Sequence, residues 1–451
     1  MKIKVFFISF FLFISMNIGI WSISAESVNF AQDLQKNLME GNIDKAIQLY
    51  DTIPENLKND ADLMLLKASL LLSVNRIDDA KAIINDLKSL GNDSIELLEV
   101  ELEIINAGGK FSEIQNAANA LLLKDPKNVT ANLILGNQQA LKKKYKLASG
   151  YYKKVIQKDP ENEEGLFGYG QMNYYLGNLE ESKNAFNTLC SVNPQSSIAY
   201  QYLGKLEAEY ENYKNAIEYV QKAIAIFPEE TDYYLDLGQY SRNIGRYADA
   251  EKAWSTAIKL SPDYFLGYAY RAGLYDEQDK IQEALNDYKM VIKTNPKYYF
   301  AFEEIGILEF HMENWEESRK YFTKANEINE SYAYKLMILA TYIKQRKNLE
   351  MKQLSEKYMK TLDRTSLEYK MIRLYHDQGP FNSESAIAKD IEKETEKNKK
   401  GKMKYYLALY YDMKGSDSVA AEYYNQITKM QTPMFFEYRL AEWAYTNSLK
   451  K

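Results

Sequence analysis

Side chains that commonly carry out catalysis are few and scattered in this sequence. Histidine occurs only as His311 and His376, and cysteine only as Cys190, so no Cys–His pair or metal-binding motif is present. A phosphate-binding loop requires a preceding strand, and the glycine-containing run 165–170 has none before it. Carboxylates are plentiful, but on polar helix faces we expect them to be solvated. These residue types favour a non-enzymatic protein, with no cofactor and no metal.

A fixed spacing of 34 residues organises the chain. Two columns with this period hold mainly small residues, represented by Gly238 and Ala250, and two hold mainly bulky ones, represented by Trp254 and Tyr247. Such a period is typical of stacked helical hairpins. We expect the small residues to let two helix backbones approach and the bulky ones to fill the remaining space. Prolines, which cannot continue a helix, recur at the unit boundary: Pro126, Pro160, Pro194, Pro228, Pro262 and Pro296.

A further column predicts the turn inside each hairpin. Glycine at these positions is expected to adopt the left-handed conformation that ends a first helix. The small columns are interrupted in the first three units, at Leu34, Leu102 and Ile114, so those units are the most degenerate. The glycines of the turn column are Gly41, Gly109, Gly177 and Gly245.

These columns resemble the tetratricopeptide repeat family, whose pattern runs aromatic, Leu-Gly, Gly-x-aromatic, Ala, aromatic, Ala, Pro. The resemblance covers residues 27–332, which would form nine repeats. It implies an all-α fold, a right-handed α-α superhelix (solenoid) of helical hairpins. The best match is carried by Tyr234, Leu237, Gly238, Gly245, Tyr247, Ala250, Trp254, Ala257 and Pro262.

The N-terminal residues 1–25 are predicted to be a signal peptide. Lys2 and Lys4 precede a mostly apolar run from Val5 to Ile20, and small residues lead to Ala25, where we expect cleavage. The alternative is an uncleaved membrane anchor, although the run is shorter than the ~20 residues that a membrane span prefers. We therefore expect an exported protein, periplasmic or secreted, with no stable membrane span after cleavage.

The period fades after residue 332. Residues 333–451 are predicted to be a divergent helical tail with up to three degenerate repeats. The first two hairpins are expected at 333–343 with 349–360, and at 366–376 with 384–397. The polar run 398–402 is a candidate hinge before the third. Pro433 is expected to open a terminal helix that carries Phe436, Leu440 and Trp443 and covers the open end of the array.

Charge is distributed unevenly along the chain. Residues 1–330 contain 35 basic and 48 acidic side chains, whereas the rest contain 22 basic and 15 acidic ones. An acidic repeat body argues against nucleic acid as the main partner. It also suggests an alternative function, in which the acidic array of one copy associates with the basic tail of another, as a homo-oligomer.

The family resemblance implies that the first helices of the hairpins line a concave groove that holds an extended peptide or a partner helix. Aromatic rings, amides and cations at such positions suit a peptide, whose backbone needs hydrogen-bond donors and acceptors. The predicted function is therefore a protein-binding scaffold or adaptor of the cell envelope. Its predicted partner groove consists of Phe167, Gln171, Tyr174, Gln201, Lys205, Leu235, Gln239 and Arg242.

Overall fold

The computed structural model describes residues 25–379 and 382–450, and every regular element within these two stretches is helical. The predicted all-α class is thereby confirmed. Residues 1–24, which hold nearly all of the expected signal peptide, lie outside the described residues. Among the helices described, none is both long and apolar enough to cross a bilayer.

The first compact unit ends at Tyr210, and its described residues begin at Ala25. Its hairpins consist of odd-numbered first helices and even-numbered second helices. Consecutive helices pack together, and from α3 onward each first helix also packs against the next first helix. The helices are α1 (Ala25–Met39), α2 (Ile43–Leu49), α3 (Ala61–Ser73), α4 (Ile77–Ser89), α5 (Ile95–Gly108), α6 (Phe111–Lys124), α7 (Val129–Leu141), α8 (Tyr145–Lys158), α9 (Glu163–Tyr175), α10 (Leu179–Val192) and α11 (Ser197–Glu209). Short 3₁₀ turns at Tyr50–Thr52 and Glu55–Leu57 follow α2.

The second compact unit spans Glu211–Lys451. Here too each helix packs against the next one along the chain. Its helices are α12 (Tyr213–Ile226), α13 (Thr231–Asn243), α14 (Tyr247–Leu260), α15 (Phe265–Glu277), α16 (Ile281–Thr294), α17 (Tyr299–His311), α18 (Trp315–Ile328), α19 (Tyr332–Lys344), α20 (Asn348–Met359), α21 (Leu367–Asp377), α22 (Asn382–Lys393), α23 (Lys397–Met413), α24 (Asp417–Thr428) and α25 (Glu437–Ser448).

The 34-residue period sets where helices begin and end. Nine second helices begin on one predicted bulky column, from Ile43 of α2 to Trp315 of α18. First helices α7 and α9 begin after Asn128 and Asn162, whose side chains accept hydrogen bonds from backbone N–H groups of the first turn. Second helices stop one residue before the extended residue that precedes each proline, because proline disfavours a helical conformation there.

The left-handed turn column is confirmed at three of its four predicted glycines. Gly41, Gly177 and Gly245 have φ angles of 74°, 76° and 75°. Gly109 is an exception, with φ −88°, because α5 continues to Gly108 and leaves an extended two-residue connection. Other residues adopt the left-handed conformation at the same spacing: Asn75, Lys143, Glu211, Asp279 and Glu313.

The small and bulky columns meet as predicted. A Cβ added to Gly238 would lie 2.3 Å from Nε1 of Trp254, so only glycine fits beside that ring. In the first unit, the Ser182 hydroxyl donates to the carbonyl of Gly170 at 2.8 Å, which joins the two small columns of one hairpin. The 34-residue pattern therefore reflects close packing of helices.

The tail differs from the sequence interpretation at two points. The candidate hinge 398–402 lies inside the continuous helix α23, where Gly401 packs against Phe435. Glycine is required there because the ring occupies the space that a side chain would fill, and this packing compensates for the low helix propensity of glycine. The last helix begins at Glu437, four residues after Pro433.

Candidate partner-binding site

Four of the predicted groove residues surround one ring in the first unit, that of Tyr202 on α11. The ring of Phe167 lies 6.0 Å from it and that of Tyr174 lies 5.7 Å from it, between centroids. Nε2 of Gln171 donates to the Tyr202 hydroxyl at 2.7 Å, and Nζ of Lys205 lies 5.5 Å from the ring centroid. The face lined by α7, α9 and α11, here called the first-helix face, therefore carries an aromatic cluster bordered by polar groups.

The remaining predicted residues occupy less accessible or paired positions. Gln201 is 4% exposed and Leu235 is 5% exposed, so both pack within their own units. In the second unit, Gln239 and Arg242 are half-buried on α13, and the Arg242 guanidinium pairs with Glu277 of α15. That the eight residues form one groove stays a prediction.

A cavity of about 480 Å³ opens on the first-helix face between α7, α8 and α9. We call it the Gly168 pocket, after one of its lining residues on α9. Predicted groove residues Phe167 and Gln171 belong to its lining. The other lining residues are Asn137, Ala140, Leu141, Lys143, Tyr145, Tyr152, Glu164, Gly168, Met172 and Tyr175.

Hydrogen bonds fix the polar wall of the Gly168 pocket. The Tyr152 hydroxyl donates to Oδ1 of Asn137 at 2.5 Å, and Nδ2 of Asn137 donates to Glu164 at 2.9 Å. Burial, and secondarily the charge of Glu164, raises the pKa of Tyr152 to about 12. The phenol therefore stays neutral near pH 7 and keeps donating to Asn137.

The mouth of the Gly168 pocket is apolar and accessible. Tyr175 is 49% exposed, and its ring lies 5.0 Å from that of Tyr145. Leu141 at the end of α7 is also largely exposed. Exposed rings beside hydrogen-bonding groups are typical of ligand pockets, which combine apolar walls with a few fixed polar atoms.

The sequence interpretation missed most of this pocket. The signal lay in one 34-residue column, where Tyr202 and Tyr270 stand but Gly168 has no side chain. The glycine run 165–170 was noticed only as an unsuitable phosphate loop. Its role is instead steric, because a Cβ added to Gly168 would lie 2.5 Å from the Tyr152 ring.

In the second unit, helix α25 covers the positions equivalent to this face. Arg439 pairs with Asp276 of α15 and also donates to its carbonyl at 2.6 Å, and the Trp443 ring stacks on His311 of α17 at 4.0 Å. Asp276 and His311 stand in the same columns as Tyr174 and Tyr175. Beyond its contacts with α23 and α24, the last helix thus makes contacts with α15 and α17 that the sequence interpretation did not predict.

The residue at the start of α25 is a fully buried acid. Glu437 accepts a hydrogen bond from the Tyr406 hydroxyl at 2.7 Å, while its second oxygen has no partner within the described structure. Burial raises the pKa of Glu437 to about 7. In the described residues, no group of three His, Cys, Asp or Glu side chains is arranged to hold a metal ion.

Comparison with known proteins gives one family and distant relatives. The tetratricopeptide repeat model matches residues 170–231 and 235–299. A TPR repeat-containing protein of Methanocaldococcus jannaschii is 30% identical over 120 residues, which are 27% of this chain and 20% of that protein. Human mitochondrial import receptor subunit TOM70 is 23% identical over 305 residues, 65% of this chain and 45% of that protein. The chain thus spans less than half the length of either relative.

Among solved structures, a tetratricopeptide repeat protein from Parabacteroides merdae is similar to this chain. The two share 21% sequence identity with a TM-score of 0.43, over 55% of this chain and 98% of that one.

Proposed function

We propose that this chain, a tetratricopeptide repeat protein, is a non-enzymatic scaffold that binds a peptide or an extended protein segment on the first-helix face of its first unit. The observation that carries this proposal is the Gly168 pocket, a cavity of about 480 Å³ lined by two of the predicted groove residues. Proteins with such repeats serve in protein–protein interactions, which is consistent with a binding role.

The groups around the pocket suit a peptide. A peptide backbone presents both donors and acceptors, and the face offers the amides of Asn137 and Gln171 together with the Lys143 ammonium group. The neighbouring rings of Tyr174 and Tyr175 supply apolar area at low cost in side-chain entropy. The second unit favours the same assignment, because α25 covers its equivalent positions Asp276 and His311.

We further propose that the scaffold acts outside the cytoplasm, as a periplasmic or secreted protein. The support is the basic start at Lys2 and Lys4 followed by the apolar run from Val5 to Ile20. Intact-mass measurement of the protein expressed in a Gram-negative host tests this proposal. A mass lacking about 25 residues supports cleavage near Ala25, and the full mass argues for an uncleaved segment.

Binding is tested by selecting short random peptides, displayed on phage, against the purified chain. The selected peptides are then measured on Ala140→Arg, which places a long cation in the pocket, and on the matched control Ala120→Arg. Ala120 is exposed on α6, a second helix. We expect Ala140→Arg to weaken binding at least about tenfold and Ala120→Arg to leave it unchanged. Equal binding of the peptides to both variants would show that the binding site lies outside the Gly168 pocket.

Self-association remains the alternative function. Its support is the acidic residues 1–330 and the basic tail. In the second unit, the tail residue Arg439 already pairs with Asp276 of its own chain. A solution mass measurement separates the two functions, because a strict monomer at all concentrations rules self-association out.

A further inference from the structure

The repeat lattice shows what kind of side chain fits the Gly168 pocket. One repeat later, Tyr202 stands in the column of Gly168, and its ring stacks on Phe186 with centroids 4.7 Å apart and an interplanar angle of 11°. Phe186 stands in the column of Tyr152. In the second unit the same two columns hold Trp254 and Tyr270, whose rings lie 5.8 Å apart. Two repeats therefore fill this location with a ring of their own.

The surroundings of Tyr202 correspond residue by residue to the pocket lining. Tyr202 contacts Phe186, Tyr174 and Gln171, which correspond in the preceding repeat to Tyr152, Ala140 and Asn137. All three of these residues line the Gly168 pocket. The residues that correspond to the neighbours of Tyr202 thus line the pocket. Because residue 168 is glycine, the Tyr152 ring packs directly on its backbone, and no side chain of position 168 enters the space beside Asn137 and Ala140.

We propose that the Gly168 pocket binds an aromatic side chain of the partner, preferably tyrosine, whose ring takes the place that the Tyr202 ring has in the next repeat. This inference rests on the proposed function and names the ligand chemistry of the same site. The Tyr202 hydroxyl accepts a hydrogen bond from Gln171. At the equivalent position in the pocket, the amide of Asn137 and the nearby Glu164 offer a donor and an acceptor to a phenol.

Charge supports a neutral ring as the ligand. The polar wall holds Glu164 and Lys143, one of each sign, so neither an anion nor a cation is favoured by the lining as a whole. A phenol satisfies the wall with its hydroxyl and the apolar lining of Ala140 and Met172 with its ring. An aliphatic side chain would form no hydrogen bond with this wall.

The test uses N-acetyl-tyrosine amide and N-acetyl-leucine amide as probes of the full chain, followed by ligand-observed NMR. We expect the tyrosine probe to bind about three- to tenfold more tightly than the leucine probe. Equal affinities, or no binding of the tyrosine probe, would overturn the inference.

Two variants fill the pocket from within. Tyr152→Phe combined with Gly168→Tyr introduces the residue pair found at Phe186 and Tyr202, and it requires the ring at position 152 to move away from the new Cβ. Ala140→Tyr copies Tyr174 without a new contact at Gly168. Ala120→Tyr on the exposed face of α6 is the matched control. Circular dichroism first shows that both filled variants are folded. We then expect neither filled variant to bind the tyrosine probe and the control to bind it as the wild type does. Should either folded variant still bind the probe as tightly as the control, the inference is wrong.

The displayed peptides separate this inference from the proposed function. Enrichment of aromatic residues, lost on the filled variants, supports both. Peptides that bind without aromatic enrichment and tolerate filling of the pocket overturn the inference and leave a peptide-binding scaffold. A selection that yields no binding peptide removes the proposed function and, with it, the assignment of the pocket to a partner's side chain.

Discussion

The Arg439 guanidinium of the last helix pairs with the Asp276 carboxylate of α15, although 163 positions separate the two residues. The Asp276 side chain is nearly inaccessible, and that of Arg439 is about three-quarters covered. Arg439 also stacks over the Trp443 ring, with 4.3 Å between the guanidinium carbon and the ring centroid. The pair therefore fixes α25 across the first helices of the second unit.

Replacing Arg439 with alanine should destabilise the second unit. The change leaves the Asp276 carboxylate buried without its partner. Removing one partner of a buried charge pair typically lowers the free energy of unfolding by about 2–5 kcal/mol. Urea unfolding followed by circular dichroism measures the loss. The control is Arg373→Ala, which removes an exposed pair with Asp377 and should cost less than about 1 kcal/mol. A similar effect of both variants would show that the Arg439 pair contributes no more to stability than an exposed pair does.

Stability should fall as pH rises through the range in which Glu437 titrates. Burial raises the pKa of this acid from its ordinary 4.5 to about 7, so the folded state holds a proton that the unfolded state releases. The groups facing it are the Tyr406 hydroxyl, Lys402 and Glu303, and only Glu303 raises the pKa further by its charge. The contribution of the neutral acid is complete below about pH 4.5 and is lost above about pH 7.

Glu437→Gln tests this pH dependence because the amide cannot ionise. We expect the variant to gain up to about 3 kcal/mol over the wild type at alkaline pH and little near pH 4.5. Glu304, whose pKa burial also raises to about 7, contributes equally to both proteins. Melting temperatures of the wild type and the variant are measured as a function of pH. A difference between the two that stays constant across this range would rule out titration of Glu437.

Replacing Gly238 with leucine should destabilise the second unit strongly. Even a Cβ would lie 2.3 Å from the Trp254 ring, and added methylenes force helices apart at a cost of about 1–3 kcal/mol or more. The matched control is Gly273→Ala on α15, where an added Cβ meets nothing within 4 Å. That control should be stabilised by about 0.5–1 kcal/mol, because alanine favours helix more than glycine does. Melting temperatures distinguish the two outcomes, and equal shifts would contradict the packing described.

The left-handed turn column allows a paired prediction of opposite sign. Gly177→Ala should destabilise the first unit by about 1 kcal/mol, since φ is 76° there and a Cβ disfavours it. Lys143→Gly, at the same column with φ 56°, should stabilise it by a similar amount. Chemical denaturation measures both. If Lys143→Gly lowered stability, its side chain would matter more than its backbone conformation.

Local periodicity explains why much of the fold could be predicted. The bulky column from Ile43 to Trp315 was predicted from its 34-residue period, and nine second helices begin on it because each hairpin repeats the same short-range contacts. The turn at Gly109 and the helix through 398–402 could not be predicted in this way. The first depends on where α5 ends, and the second on the contact between Gly401 and Phe435. Neither feature is part of the 34-residue pattern.

The site was only partly predictable for a similar reason. Phe167, Gln171 and Tyr174 were found because their side chains are present, and they gather around Tyr202 as one cluster. The Gly168 pocket depends on a side chain that is missing from a column. The covering of Asp276 by α25 depends on a contact across 163 positions, which sequence spacing alone does not reveal.

The contact between α25 and α15 also affects how the second unit unfolds under force and how it folds during synthesis. Arrays held by neighbour contacts can unravel one hairpin at a time from an end. Here the last helix is fastened to α15, so pulling on the C-terminus must break the Arg439–Asp276 pair before α24 and α23 can peel away. During synthesis the same fastening forms only after residue 439 has emerged, which makes it a late, long-range closure.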